Sequence, residues 1–125
     1  MGDFMKKILL FAMAVFYVFA GLNHFLNPPF YLRMIPPYLP YHSLLNYVSG
    51  IAEIVLGLAL FLQPLRRLAS FGIIALLIAV LPANVYMLQA ALSGTDFGVP
   101  VWALYARLPF QLVFIFWAWS VKDVE

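Results

Sequence analysis

Four stretches of this chain carry so little charge over so many residues that they constrain the fold more than any motif does. About 20 apolar residues, each rising about 1.5 Å along a helix, cross a hydrocarbon core of about 30 Å. Segments near residues 5–26, 43–62, 68–92 and 101–120 meet that length. The chain has 125 residues, 66% hydrophobic and 10% charged, whereas a soluble domain wets its surface with roughly a quarter of charged residues. In water such a surface would be one large apolar patch, which monomeric proteins avoid. Lipid is the solvent that fits. The expected fold class is all-α, an integral membrane four-helix bundle with antiparallel up-and-down spans, forming a single domain over residues 1–125.

The connections set the neighbours. QPLRR, from Gln63 to Arg67, is short enough to make the second and third spans antiparallel partners, and SGTDFGVP before the fourth is short and rich in turn formers. Lys6 and Lys7 ahead of an apolar run imitate a signal peptide. The run lasts as long as a bilayer is thick, however, and ends in Asn23-His24-Phe25 instead of a small-x-small cleavage site, so it reads as a retained span. Lys6, Lys7, Arg66, Arg67 and Lys122 fall on one side of such a bundle, and only Arg33, with Asp96, falls in the connections of the other. Positive charge stays inside, which predicts both termini in the cytoplasm. A formal charge of +2, scattered along the chain, argues against nucleic acid as a partner. The absence of cysteine excludes disulfides, thiolate metal sites and thiol relays.

Both histidines and five of the nine prolines lie between Asn23 and His42. Pro28-Pro29, Pro36-Pro37 and Pro40 interrupt any helix there, because each ring removes a donor and crowds the preceding turn. FYLRMI between the breaks offers little more than one turn, and Phe30, Tyr31, Tyr38 and Tyr41 suit the headgroup layer. The expectation is a proline-stiffened segment lying along the outer interface, either a plain aromatic anchor or a lid over a cavity.

What lies beneath decides between the two. In the second span Asn46, Ser49, Gly50, Glu53 and Gly57 recur at spacings of three or four and share one helical face. Glu53 falls near the midplane, where an unpaired carboxylate would cost several kcal/mol. Arg107 and Gln111 share a face of the fourth span, and a buried Glu53–Arg107 pair is predicted. In the third span Pro82 deprives the Ile78 carbonyl of its donor, with Asn84 close by; the first span brings Tyr17, Gly21 and His24 up one face. His24, Glu53, Asn84, Arg107 and Gln111 are thus the candidate ligand-binding residues, all in the outer half of the membrane. The competing account makes the same groups interhelical glue that locks helix order. His24 and Glu53 alone are too few ligands for a metal, no deep second histidine is available for haem, and no catalytic constellation or phosphate loop is visible.

The motifs Gly21-Leu22-Asn23-His24-Phe25, Ile35 to Pro40, Ser49 to Leu58, Arg66-Arg67 and Leu81 to Val85, in this order and spacing, resemble the DoxX-like family of small bacterial membrane proteins. The resemblance covers nearly the whole chain. It implies a four-helix protein of the bacterial cytoplasmic (inner) membrane, with recurrent polar positions that map to His24, Glu53 and Asn84, and founding members that are small subunits of quinone-linked oxidoreductases. The leading expectation is therefore an accessory or subunit of a quinone-linked redox system, with quinone as the cofactor to look for. The second is a non-enzymatic membrane chaperone holding a client membrane protein. The third is a small-molecule transporter, which four short spans would allow only as a homo-oligomer.

Overall fold

The computed structural model describes residues 2–125 and contains α1 (Asp3–Leu26), α2 (Pro28–Met34), α3 (His42–Leu60), α4 (Gln63–Leu92) and α5 (Val101–Val121), with no strand among the described residues. All but α2 are long and apolar enough to cross a membrane. The protein is a multi-pass membrane protein by that measure. Phe19, Trp102 and Phe116 are 64%, 73% and 71% exposed, an arrangement that only a lipid solvent tolerates on every side.

Two boundaries differ from the expectation, both because of proline. α4 begins at Gln63 and absorbs the basic turn, since Pro64 sits in its first turn, where a missing N–H is no loss. Pro28 and Pro29 likewise open α2 as well as closing α1. Where little more than one turn was expected, a seven-residue helix forms that takes in the first proline pair.

The start of α4 has a further consequence. Arg66, expected as an exposed cytoplasmic charge, is only 5% exposed. Its Nε donates to the Leu60 carbonyl at 2.9 Å, one terminal nitrogen to Phe61 O at 3.3 Å and the other to Val124 O at 2.9 Å. The last carbonyls of a helix have no partner of their own. Arg66 supplies them for α3 and ties the tail after α5 to the same point.

α1 packs most extensively on α3, and α4 on α5; α3 also meets α4, and α5 also meets α1. No close approach joins α3 to α5. The α1–α3 seam is lined with glycine. A Cβ on Gly57 would lie 2.8 Å from Ala14 O, and one on Gly21 would lie 2.6 Å from Gly50 O and 2.8 Å from Ile54 N. Those obstacles are backbone atoms, which cannot step aside. Small residues replace hydrophobic attraction as the means of association when the solvent is itself apolar. Leu10, Met13, Tyr17, Ile73 and Leu77 form the larger buried cluster, and Met34, Met87, Phe97 and Leu104 a smaller one against α2.

Gly21→Ala is expected to force α1 and α3 apart and to destabilise the protein by about 1–3 kcal/mol, read as a lower thermal midpoint in detergent. Gly72→Ala meets only the Leu56 Cδ2 methyl, at 2.6 Å, and should leave that midpoint nearly unchanged.

Candidate functional site

The site begins with a missing hydrogen. In a helix the carbonyl of residue 24 accepts from the N–H of residue 28, and here residue 28 is Pro28. The His24 carbonyl is left without a backbone donor at a buried position. Asn46 of α3 takes that role, its Nδ2 donating to His24 O at 3.0 Å. The other end of the same amide, Oδ1, sits 2.8 Å from His24 Nδ1. Asn46 therefore clasps both the backbone and the ring of His24. Gly50, one turn further along α3, permits the approach, since a Cβ there would lie 2.8 Å from His24 Cβ.

The far nitrogen of the ring, Nε2, lies 3.1 Å from Glu53 Oε2. That is ion-pair distance, although the N–H direction is poor and Oε2 counts as a buried oxygen without an aligned donor. From above, Tyr31 of α2 stacks on the imidazole with ring centroids 3.9 Å apart and planes 19° from parallel. Asn23 Nδ2 donates to the Tyr31 hydroxyl oxygen at 2.6 Å. Burial pushes the Tyr31 phenol above its ordinary value against the opposing Asn23 bond; the Glu53 charge adds to the rise and the Arg107 charge opposes it. Tyr31 is accordingly a neutral hydroxyl at any pH the membrane meets.

His24, Asn46, Ser49 and Glu53 form the polar wall of a cavity of about 400 Å³. Tyr31 and Met34 of α2 and Pro36 just beyond it cover one side, while Leu76, Val80 and Pro82 close it from α4. The volume suits a small organic ligand, and a mostly apolar lining with a few convergent polar groups is the usual build of such a site. A larger groove of about 540 Å³ lies at the opposite end, lined by Lys6, Lys7 and Lys122 together with Asp3, Asp123 and Glu125. Its charges balance; Lys122 Nζ is 2.7 Å from Asp123 and Arg67 is 2.6 Å from it. The groove is a surface feature between the chain ends. The buried wall at His24 is the better candidate.

The predicted Glu53–Arg107 pair does not form. The carboxylate faces His24, and Arg107 has no ion pair among the described residues. The cause is helix order, because α5 stands opposite α3 with α1 and α4 between them. Arg107 is half-buried, outside the cavity wall, and its charge is felt at Tyr31. Gln111 is buried but committed elsewhere, donating to Leu77 O at 2.6 Å. That carbonyl lies next to the one at Ile78 which Pro82 deprives of its helical donor. Asn84 is buried at 6% exposure and lines no part of the cavity. Of five candidates, then, His24 and Glu53 come together, while Asn84, Arg107 and Gln111 belong to the α4–α5 side. Asn46 and Tyr31 complete the site in their place. Asn46 was legible as a member of the Glu53 face; the spacing of Pro28 four residues after His24 was the unused signal.

Residues 13–122 match a family described as a domain of unknown function, DUF8561. The chain belongs to that family. No curated protein and no solved structure matches it.

The two groups of polar residues share no partner, so their stabilities should be separable. His24→Phe and Asn46→Leu together are expected to cost clearly less than the sum of the two single losses. Gln111→Leu should cost about 1 kcal/mol through the lost bond to Leu77 O, and should add to Glu53→Gln without coupling. Denaturant unfolding in mixed micelles measures both cycles.

Proposed function

We propose that this protein binds a lipophilic, carbonyl-bearing ring molecule of the quinone class between its helices, as an accessory or subunit of a quinone-linked redox system in the bacterial inner membrane. The observation that carries the reading is the His24–Glu53 pair on the wall of an otherwise apolar cavity of about 400 Å³. A quinone ring needs apolar walls for its body and hydrogen-bond partners for its oxygens, and it reaches the cavity through the bilayer in which it already dissolves. Tyr31, Met34 and Pro36 would shield the ring from the headgroup layer. The motif resemblance to DoxX-like proteins supports the same reading.

The spans are proposed to run up and down as an antiparallel bundle. The contacts between α1 and α3 support this: Ala14 meets Gly57, Gly21 meets Gly50, and His24 meets Asn46, so one number falls as the other rises. Both termini would face the cytoplasm, since Lys6, Lys7 and Lys122 line one end and Arg67 joins it through Asp123. The cavity then opens in the outer leaflet.

Purified protein is expected to quench a fluorescent quinone analogue saturably, with ubiquinone or menaquinone competing. Glu53→Ala and His24→Ala should each weaken binding about tenfold, the effect of roughly 1.4 kcal/mol; Arg107→Ala should change it little. Failure of any quinone to compete removes the proposal and leaves a client-holding membrane chaperone as the reading to test by co-purification. The orientation has its own test, made simple by the lack of native cysteine. In intact cells an impermeant maleimide should label Ser93→Cys and spare Gln63→Cys.

A further inference from the structure

His24 and Glu53 face each other across 3.1 Å, and the number of protons between them is fixed by a residue on the other side of the ring. The His24 carbonyl is an acceptor only. The Asn46 group beside it, at 3.0 Å, must therefore be the NH₂ end of the amide. That choice turns Oδ1, also an acceptor only, toward His24 Nδ1 at 2.8 Å. Two acceptors cannot face each other at that distance in a buried site without a hydrogen between them. Nδ1 must carry the proton.

We infer that Asn46 is a positioning residue that locks His24 as its Nδ1–H form, so that the His24–Glu53 pair holds a single proton between Nε2 and Oε2 and faces the cavity without net charge. With Nδ1 protonated, a neutral imidazole turns a bare lone pair toward Glu53. Against a carboxylate this would set two acceptors 3.1 Å apart. A proton on either atom resolves the clash, giving imidazolium with carboxylate or imidazole with carboxylic acid. Both have the same net charge of zero. The tautomer with only Nε2 protonated is the one that Asn46 forbids, because it would leave Nδ1 bare against Oδ1.

The surroundings agree. The other titratable groups near the pair are the phenols of Tyr17 on α1, Tyr31 on α2 and Tyr38 after it, and Glu53 is the only acid on α3. The α4 side of the cavity contributes Leu76, Val80 and Pro82, with no ionisable group, and Arg107 of α5 makes no ion pair with either residue. An uncharged pair in an apolar cavity suits a neutral ring molecule and disfavours carboxylates and ammonium ions, which would arrive without a counter-charge. This last step rests on the quinone-class reading; the protonation of the ring does not.

The chain has only two histidines, so His42→Gln leaves His24 as the sole imidazole. In that protein, ¹⁵N-histidine labelled and reconstituted in lipid vesicles without ligand at neutral pH, Nδ1 should show a directly bonded proton, with Nε2 either bare or sharing one. A spectrum with Nε2 protonated and Nδ1 bare overturns the inference. Asn46→Leu in the same background should move the ring toward the Nε2–H form. An unchanged ring in a folded Asn46→Leu protein would remove Asn46 from the account; should that variant not fold, the His42→Gln spectrum still decides the protonation. Glu53→Gln, whose amide can donate to Nε2 as the protonated acid would, should bind quinone within about threefold of the parent, against about tenfold loss for Glu53→Ala. Equal losses in the two variants would count against the proton held between Nε2 and Oε2. The ring spectrum needs no ligand, so a failure of quinone binding leaves it standing, and an adverse spectrum leaves binding standing.

Discussion

Inside a bilayer no water is on hand to satisfy a carbonyl that its own helix has abandoned, and each such group costs several kcal/mol. The polar side chains of this protein are distributed largely to meet that demand. Asn46 serves the His24 carbonyl that Pro28 leaves open. Arg66 serves Leu60 and Phe61 at the end of α3, and Gln111 adds a bond to Leu77 O beside the carbonyl that Pro82 strips of its donor. Trp117 of α5 donates to Leu9 O of α1 at 2.9 Å, a second bond to a mid-helix carbonyl that ties the two helices. Each bond joins two elements or the two ends of a turn, so satisfying the backbone also fixes helix order.

The candidate site is the one place where this repair has something left over. Gln111 places its donor on a carbonyl, and its remaining oxygen finds no partner. Asn46 uses both ends of its amide, and the second end orients an imidazole whose other nitrogen faces a carboxylate. A structural bond thereby sets the geometry of a titratable pair on a cavity wall. Glycine makes it feasible: without Gly21 and Gly50 the α1–α3 distance would exceed the reach of the short Asn46 side chain.

α2 gives the prolines their second meaning. They end α1, begin a short helix, and hold Tyr31 flat on His24. The aromatic ring is therefore part of the candidate site, and the Asn23 bond to its hydroxyl fixes its tilt. An anchor and a lid were alternatives in the sequence; in the structure Tyr31, Met34 and Pro36 line the cavity, as a lid would.

Length and hydrophobicity were enough to find all four spans to within a few residues, because lipid thickness acts on composition directly and not through tertiary packing. The shared face of Asn46, Gly50, Glu53 and Gly57 was equally legible, since helical spacing is local. Which face meets which was not. Counting depth along the spans put Glu53 level with Gln111 and within reach of Arg107, and depth was the wrong variable, because α5 stands across the protein from α3. Sequence spacing fixes a residue's height and direction on its own helix; it holds no information on the order of helices around the axis. That order comes from where backbones can approach, at Gly21, Gly50 and Gly57, and from which orphaned carbonyls find donors, and both are properties of the assembled protein.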